Sequence, residues 1–285
     1  MALVDLHLHT NRSDGDYPPS VVMELARDAG LRIVSVTDHD TIAGLDEAIK
    51  AADRLGFTCL PGIEITTQSE LERHILGYLF DPAHPAMTDM CRRFRELRRQ
   101  RMDVVLDYLG SRGVYLSRES IAAVSTGDYL GRPHIAKAMV NEGFAESIDQ
   151  AFSDYLADEG YYRLRRPKPT AEEAISAIRS AGGAAVLAHP HSLRLEEEGL
   201  ARELSKLKEM GLSGLECNYS AYGEEETEGY RKLADRLGLA ITGGSDYHGP
   251  TVKPDVIIGR GQGGNFNFDD LNIVEKLAKT RPNGV

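Results

Sequence analysis

Apolar positions along this chain follow two alternating periods. Short apolar, β-branched runs at 4–8, 33–37 and 58–66 have the length and composition of buried strands. Between them, 21–29 and 42–55 carry apolar residues at helical spacing and close on Gly30 and Gly56. Pro18-Pro19-Ser20 leads into the first of these helices, and Thr41 is placed to cap the second. A run at 74–79 follows a polar turn and reads as the hairpin partner of the third strand. Strand–helix alternation of this kind predicts a parallel α/β sheet.

The pattern breaks after Asp81-Pro82. Residues 87–110 predict one long helix, with Met90, Phe94, Leu97, Val104 and Tyr108 at helical spacing. Shorter helical stretches follow at 117–124, 133–142 and 147–156, and no strand signal returns until Ala184. The chain therefore divides into an α/β domain, 1–84 with 166–285, and a helical insertion, 85–165. Alternation resumes at Thr170, a cap for helix 171–181. Strand 184–188 ends in His189-Pro190-His191, and helix 196–210 leads to strand 214–218. Helix 224–237 leads to strand 240–244, which ends in Ser245-Asp246-Tyr247-His248. A further strand at 256–258 and a helix at 271–279 complete the pattern.

Composition narrows the function classes. With 285 residues, 41% of them apolar, the chain can bury one barrel-sized core or two smaller ones. No apolar run approaches the roughly 18 residues that span a bilayer, and the N-terminus has no basic region before an apolar stretch. Cys59, Cys91 and Cys217 are scattered, which points to a reducing compartment and excludes a cysteine-based zinc site. The expectation is a cytoplasmic protein with no membrane and no obligatory protein partner. A formal charge of −11 argues against a binder of long nucleic acid. It leaves room for a small anionic substrate, because bound metals can invert the local field. Two basic clusters lie in the middle third, Arg92 to Arg101 and Arg163, Arg165, Arg166 and Lys168. Most of the arginines of the long helix read as its solvated face.

Chemistry gathers at the strand ends. His7 and His9, two apart on a strand, point to one side, and Asp14 follows on a Ser-Asp-Gly turn. His39 follows the second strand, Glu64 lies on the third, and His74 opens its hairpin partner. His189 follows the strand after the insertion, and Asp246 and His248 follow a later one. His134 lies within the insertion, in Gly131-Arg132-Pro133-His134. Of nine histidines only His84 and His191 remain unassigned. Imidazoles and carboxylates collected at the C-terminal ends of strands suit a divalent metal of intermediate hardness, such as Zn, Mn or Fe.

His7-Leu8-His9, Thr37-Asp38-His39-Asp40, a mid-chain histidine and Ser245-Asp246-Tyr247-His248 together resemble the four motifs of the PHP family (polymerase and histidinol phosphatase domains), part of the amidohydrolase-like metalloenzymes. The resemblance implies a distorted (β/α)7 TIM-like barrel with a trinuclear metal site. By the same resemblance one metal takes His7, His9, Glu64 and Asp246. A second takes Asp14, His39 and His248, and the third takes His74 and His134 with Glu64 as a bridge. The cofactor expected is three divalent ions, manganese first, with iron or zinc as alternatives.

Three divalent ions against three carboxylates leave the site net positive, which favours a phosphate monoester. Such metals lower the pKa of bound water and polarise phosphoryl oxygens. His189 is the candidate proton donor to the leaving oxygen or a phosphate ligand, and Asp246 is placed to relay a proton. Arg132, two residues before His134, has a fork suited to a second phosphate. Arg163, Asn218 and Tyr222 are further candidates for nucleotide or phosphate. The stand-alone members that this chain resembles remove the 3′-phosphate from nucleoside 3′,5′-bisphosphates, converting adenosine 3′,5′-bisphosphate to AMP and phosphate. The alternatives are a 5′-to-3′ exonuclease on short oligoribonucleotides, a histidinol-phosphate phosphatase and a non-catalytic metal-binding module.

Overall fold

The computed structural model describes residues 2–67, 73–124, 130–164 and 168–282. Seven strands form one sheet in chain order: β1 (Val4–Leu8), β2 (Ile33–Val36), β3 (Thr58–Thr67), β4 (Arg73–Tyr78), β5 (Ala184–Leu187), β6 (Gly214–Tyr219) and β7 (Ala240–Gly244). Neighbours are parallel except at β4, which runs antiparallel to both β3 and β5. The hairpin partner expected for the third strand is thus present, within an otherwise parallel sheet. The link from β3 to β4 is too short for a crossover, so only a hairpin can join them. The polar turn itself, 68–72, lies outside the described residues.

The sheet curls until its first and last strands meet. Asp246 N donates to His7 O and His9 N donates to Tyr247 O, each at 2.9 Å. A Cβ on Gly244 would stand 2.1 Å from His7 Cβ, so this closure requires glycine at that point. The result is a seven-stranded, nearly closed barrel. Tyr78 is buried in it and donates to Leu6 O at 2.9 Å.

Helices α1 (Pro19–Asp28) and α2 (Leu45–Leu55) follow the first two strands. Thr41 does not cap α2. Its Oγ1 accepts from Ala43 N at 3.2 Å, and the helix begins a turn later, after Gly44. The long helix α3 (Pro85–Ser111) opens the insertion, followed by α4 (Arg118–Ala122), α5 (Arg132–Asn141), α6 (Ile148–Ala151) and α7 (Glu159–Tyr162), with a wider turn over Phe152–Leu156 between the last two. Two apolar cores divide α3 between them. Met87, Met90, Cys91 and Phe94 join the barrel core. Met102, Val105 and Leu109 pack with Ile135, Met139 and Leu156 in a second core.

Helix α8 (Ala171–Ser180) starts as expected, with Thr170 Oγ1 accepting from Glu173 N at 3.1 Å. Helices α9 (Glu197–Glu209), α10 (Glu224–Leu237) and α11 (Ile273–Lys279) cover the remaining strands. The strand expected at 256–258 is not part of the barrel. It forms β8 (Val256–Ile257), paired only with β9 (Gly261–Gln262) in a small ribbon. Among the described residues no helix is long and apolar enough to cross a membrane.

Candidate metal centre

Because β4 runs backwards, its first residues lie at the same barrel rim as the last residues of the parallel strands. That is why His74, which opens a strand, meets histidines that close strands. Ligating atoms within 4.8 Å of one another form three groups among the described residues: His7, His9 and Asp246; His9, Asp14, His39 and His248; and His39, Glu64 and His74.

The Nε2 atoms of His7 and His9 are 3.1 Å apart, and Glu64 Oε2 lies 3.2 and 3.1 Å from them. Asp246 Oδ1 completes the convergence at 3.5 and 3.3 Å. In the second group Asp14 Oδ1 is 3.3 Å from His248 Nε2, and Asp14 Oδ2 is 3.8 Å from His39 Nε2. Donation from His248 Nδ1 to the Asp246 carbonyl oxygen, 2.9 Å away, aims Nε2 at Asp14. In the third, Glu64 Oε1 is 2.7 Å from His74 Nδ1, and Glu64 Oε2 is 3.2 Å from His39 Nδ1.

Strained backbone accompanies these side chains. Asp40, His189 and Asp246 follow β2, β5 and β7 with φ of +55°, +23° and +55°. Non-glycine residues hold such angles only where their surroundings enforce them, and they cluster at functional sites. Buried acids supply the enforcement. Asp38 accepts from Thr10 N and Oγ1 and from Ser13 Oγ, which fixes the loop carrying Asp14. Asp5 accepts from Ser245 N at 2.8 Å and Gly259 N at 3.0 Å, and burial pushes its carboxyl up to about 6.

Electrostatics favour bound cations. Burial alone would raise the pKa of Glu64, Asp14 and Asp246, yet the surrounding imidazoles, and Lys253 beside Asp246, hold all three carboxyls well below their ordinary range. Burial would likewise lower His7, but Glu216, Glu64 and Asp246 outweigh it and hold the imidazole well above its usual value. Two buried carboxylate oxygens, Asp14 Oδ1 and Asp246 Oδ1, accept no hydrogen bond among the described residues. Buried charge of that kind calls for a partner. A nitrogen-and-oxygen donor set aimed inward fits divalent Mn, Fe or Zn.

The remaining candidates distribute unevenly. His134 belongs to none of the three groups. Its Nδ1 turns back to accept from Gly131 N at 3.2 Å, and it lines a cavity of about 740 Å³ that Asp14 also borders. His39 instead reaches both the Asp14–His248 side and the Glu64–His74 side. His189 Nε2 is 3.0 Å from Glu64 Oε1, and its Nδ1 is 3.3 Å from Ser192 Oγ. Arg132 lines a cavity of about 840 Å³ that opens on Asp14, His39 and His74, with its guanidinium carbon 5.9 Å from the centre of the Tyr161 ring. Arg163 is not among the residues lining that cavity. It is exposed and ion-paired with Glu159 on α7. Asn218 and Tyr222 line a separate cavity of about 960 Å³, where Asn218 Oδ1 accepts from Arg231 and the Tyr222 hydroxyl is 3.2 Å from His191 Nδ1. Arg165 and Arg166 lie outside the described residues.

Sequence reasoning passed over several groups. The α3 arginines are not all solvated. Arg98 is only 7% exposed and holds Asp40 Oδ2 at 2.7 Å, with Arg101 at 3.5 Å. Asp40 also accepts from Thr66 N and donates its own N–H to Glu64 O. One face of a basic helix is therefore docked on the turn that carries His39, because that turn holds a buried carboxylate. Tyr219 and Lys253 both hold Asp246 Oδ2, and Glu216 lies buried behind His7. A lone acid within the apolar strand Gly214–Tyr219 is the signal that would have found Glu216.

Residues 5–187 match the PHP domain family. The chain is 31% identical to a 5′-3′ exoribonuclease from Haemophilus influenzae, over 86% of this chain and 90% of that protein. It is 30% identical to a 3′,5′-nucleoside bisphosphate phosphatase from Chromobacterium violaceum, over 88% of each. A solved structure from Bifidobacterium adolescentis, assigned as a metal-dependent phosphoesterase, superposes with a TM-score of 0.80 at 33% identity, covering 98% of this chain and 96% of that one.

Proposed function

The chain belongs to the PHP domain family, and from that premise we propose that it is a metal-dependent phosphoesterase that removes the 3′-phosphate from nucleoside 3′,5′-bisphosphates, adenosine 3′,5′-bisphosphate first. The observation that carries this reading is one cavity lined both by the candidate ligands Asp14, His39 and His74 and by the basic residues Arg132 and Lys168, with Arg98 and Arg101 beside Asp40. A substrate with two phosphates on one ribose offers one anion to the metal ligands and the other to the basic residues.

The proposed cofactor is three divalent ions, manganese first, held by His7, His9, Asp14, His39, Glu64, His74, His134, Asp246 and His248. Bound there, such ions supply nucleophilic hydroxide at neutral pH and positive charge for phosphoryl oxygens. The protein's own groups do the rest. Arg132 grips the remote 5′-phosphate through paired N–H donors. His189 gives a proton to the leaving ribose oxygen, and Asp246 accepts one from the attacking water. Glu64 holds the His74 and His189 rings, which fixes their orientation. Three buried free cysteines support a reducing, cytoplasmic setting.

A second reading, trimming of short RNA from its 5′ end, draws on the Haemophilus relative and on the number of cations in the cavity wall. Phosphate release from adenosine 3′,5′-bisphosphate, histidinol phosphate and a 3′-monophosphate, beside nucleotide release from 5′-phosphorylated short RNA, separates the readings. The bisphosphate should give the highest kcat/KM. A higher value on RNA would transfer the proposal to the exonuclease.

A further inference from the structure

Glu216 belongs to none of the three ligand groups, yet it is fully buried directly behind His7. It sits on β6, between the strands that carry His189 and Asp246. Its two oxygens have different tasks. Oε1 is 2.9 Å from His7 Nδ1. Oε2 accepts from the backbone N–H of His189 at 2.7 Å. The first contact leaves His7 Nε2 turned toward His9, Glu64 and Asp246. The second pins the backbone of His189, whose φ of +23° and ψ of 68° are sparsely populated for any side-chain-bearing residue. With its backbone so held, His189 brings Nε2 to within 3.0 Å of Glu64 Oε1.

We propose that Glu216 is a positioning residue that sets two parts of the centre at once, the ligand face of His7 and the strained turn at His189. The inference rests on the metal centre and not on the identity of the substrate. Histidines that ligate metals commonly donate their other ring N–H to a carboxylate, which orients the ring and raises its basicity. Here the same carboxylate must accept on both oxygens. Glutamine has the same shape but offers one acceptor oxygen and one NH2 donor. It can serve His7 or His189 N–H, and it turns a donor toward the other. Aspartate keeps two acceptors on a shorter arm.

The test is metal binding, independent of turnover. Full-length wild type, Glu216→Gln and Glu216→Asp are stripped of metal and titrated with Mn²⁺ alone under chelator competition, with thermal unfolding of each metal-free protein recorded beside it. Glu216→Gln should weaken Mn²⁺ binding about 10- to 100-fold, and Glu216→Asp should fall between it and the wild type. If Glu216→Gln does not fold, the aspartate variant carries the comparison and should still bind more weakly than wild type. Unchanged affinity in a folded variant would overturn the inference. A wild type that takes up no Mn²⁺ would overturn the metal centre and this inference with it, whereas loss of one substrate activity alone bears only on the proposed function.

Discussion

The barrel rim and the insertion face the same cavity but are built by opposite means. At the rim, strands carry residues as distant in sequence as His9 and His248 to within a few ångströms, and buried acids brace them from behind. In the insertion, α3 and α5 contribute Arg98, Arg101 and Arg132 from helix surfaces, over a second core that is separate from the barrel's. The rim is fixed by backbone pairing on every side. The insertion is tied to it through the first half of α3, by Met87, Met90, Cys91 and Phe94 in the barrel core and by the buried Arg98–Asp40 pair. On the proposed function, chemistry common to phosphate esters falls to the rim and choice among them to the insertion.

The sharpest way to break the comparison is to attack the rim. His9→Ala or Asp246→Ala removes an atom on which neighbouring ligands converge and should abolish turnover on every phosphate ester, activated aryl phosphates included. Substantial activity in either variant on any substrate would show that the rim is not the reaction centre.

Next in size is the tie between the regions. Arg98→Ala leaves Asp40 without its 2.7 Å partner in a buried setting. Breaking a buried pair from one side costs about 3–5 kcal/mol. Denaturant unfolding should show that loss, with a second transition if the insertion core separates from the barrel. A change below about 1 kcal/mol would mean that Arg101 or apolar packing along Met87, Met90 and Phe94 carries the docking instead.

The smallest effect is the most selective. A hydrogen bond to a charged group contributes about 1.5–3 kcal/mol, so Arg132→Ala should lower kcat/KM on adenosine 3′,5′-bisphosphate about 10- to 100-fold and leave a simple 3′-monophosphate nearly unaffected. Equal loss on both would move Arg132 to the reacting phosphate or to the support of His134. No loss on either would remove it from recognition.

The two regions were also unequally legible in the sequence. Rim residues announced themselves because a strand has a period of two, its end is marked by the break in apolar residues, and His7, His39, His189 and His248 all stand just there. The reversal of β4 was implied by its short link to β3, which explains His74. The insertion gave helices but not their contacts. Seven charged residues within 92–101 look alike at helical spacing, and only the position of Asp40 decides that Arg98 is buried while Arg92 and Arg93 face solvent. Glu216, a lone acid in its strand, and Asp38, within a motif, were visible in the sequence, but their roles were not, for a related reason. Their roles depend on which backbone N–H groups and rings lie opposite across the barrel, and local pattern does not encode that.

Metal content tests the account most directly. Protein loaded with excess Mn²⁺ and then freed of unbound ions should carry about three per chain by elemental analysis, in keeping with two-metal hydrolysis assisted by a third ion. Chelation should remove the ions and the phosphoesterase activity together. A fully loaded, fully active protein with a single ion per chain would contradict it.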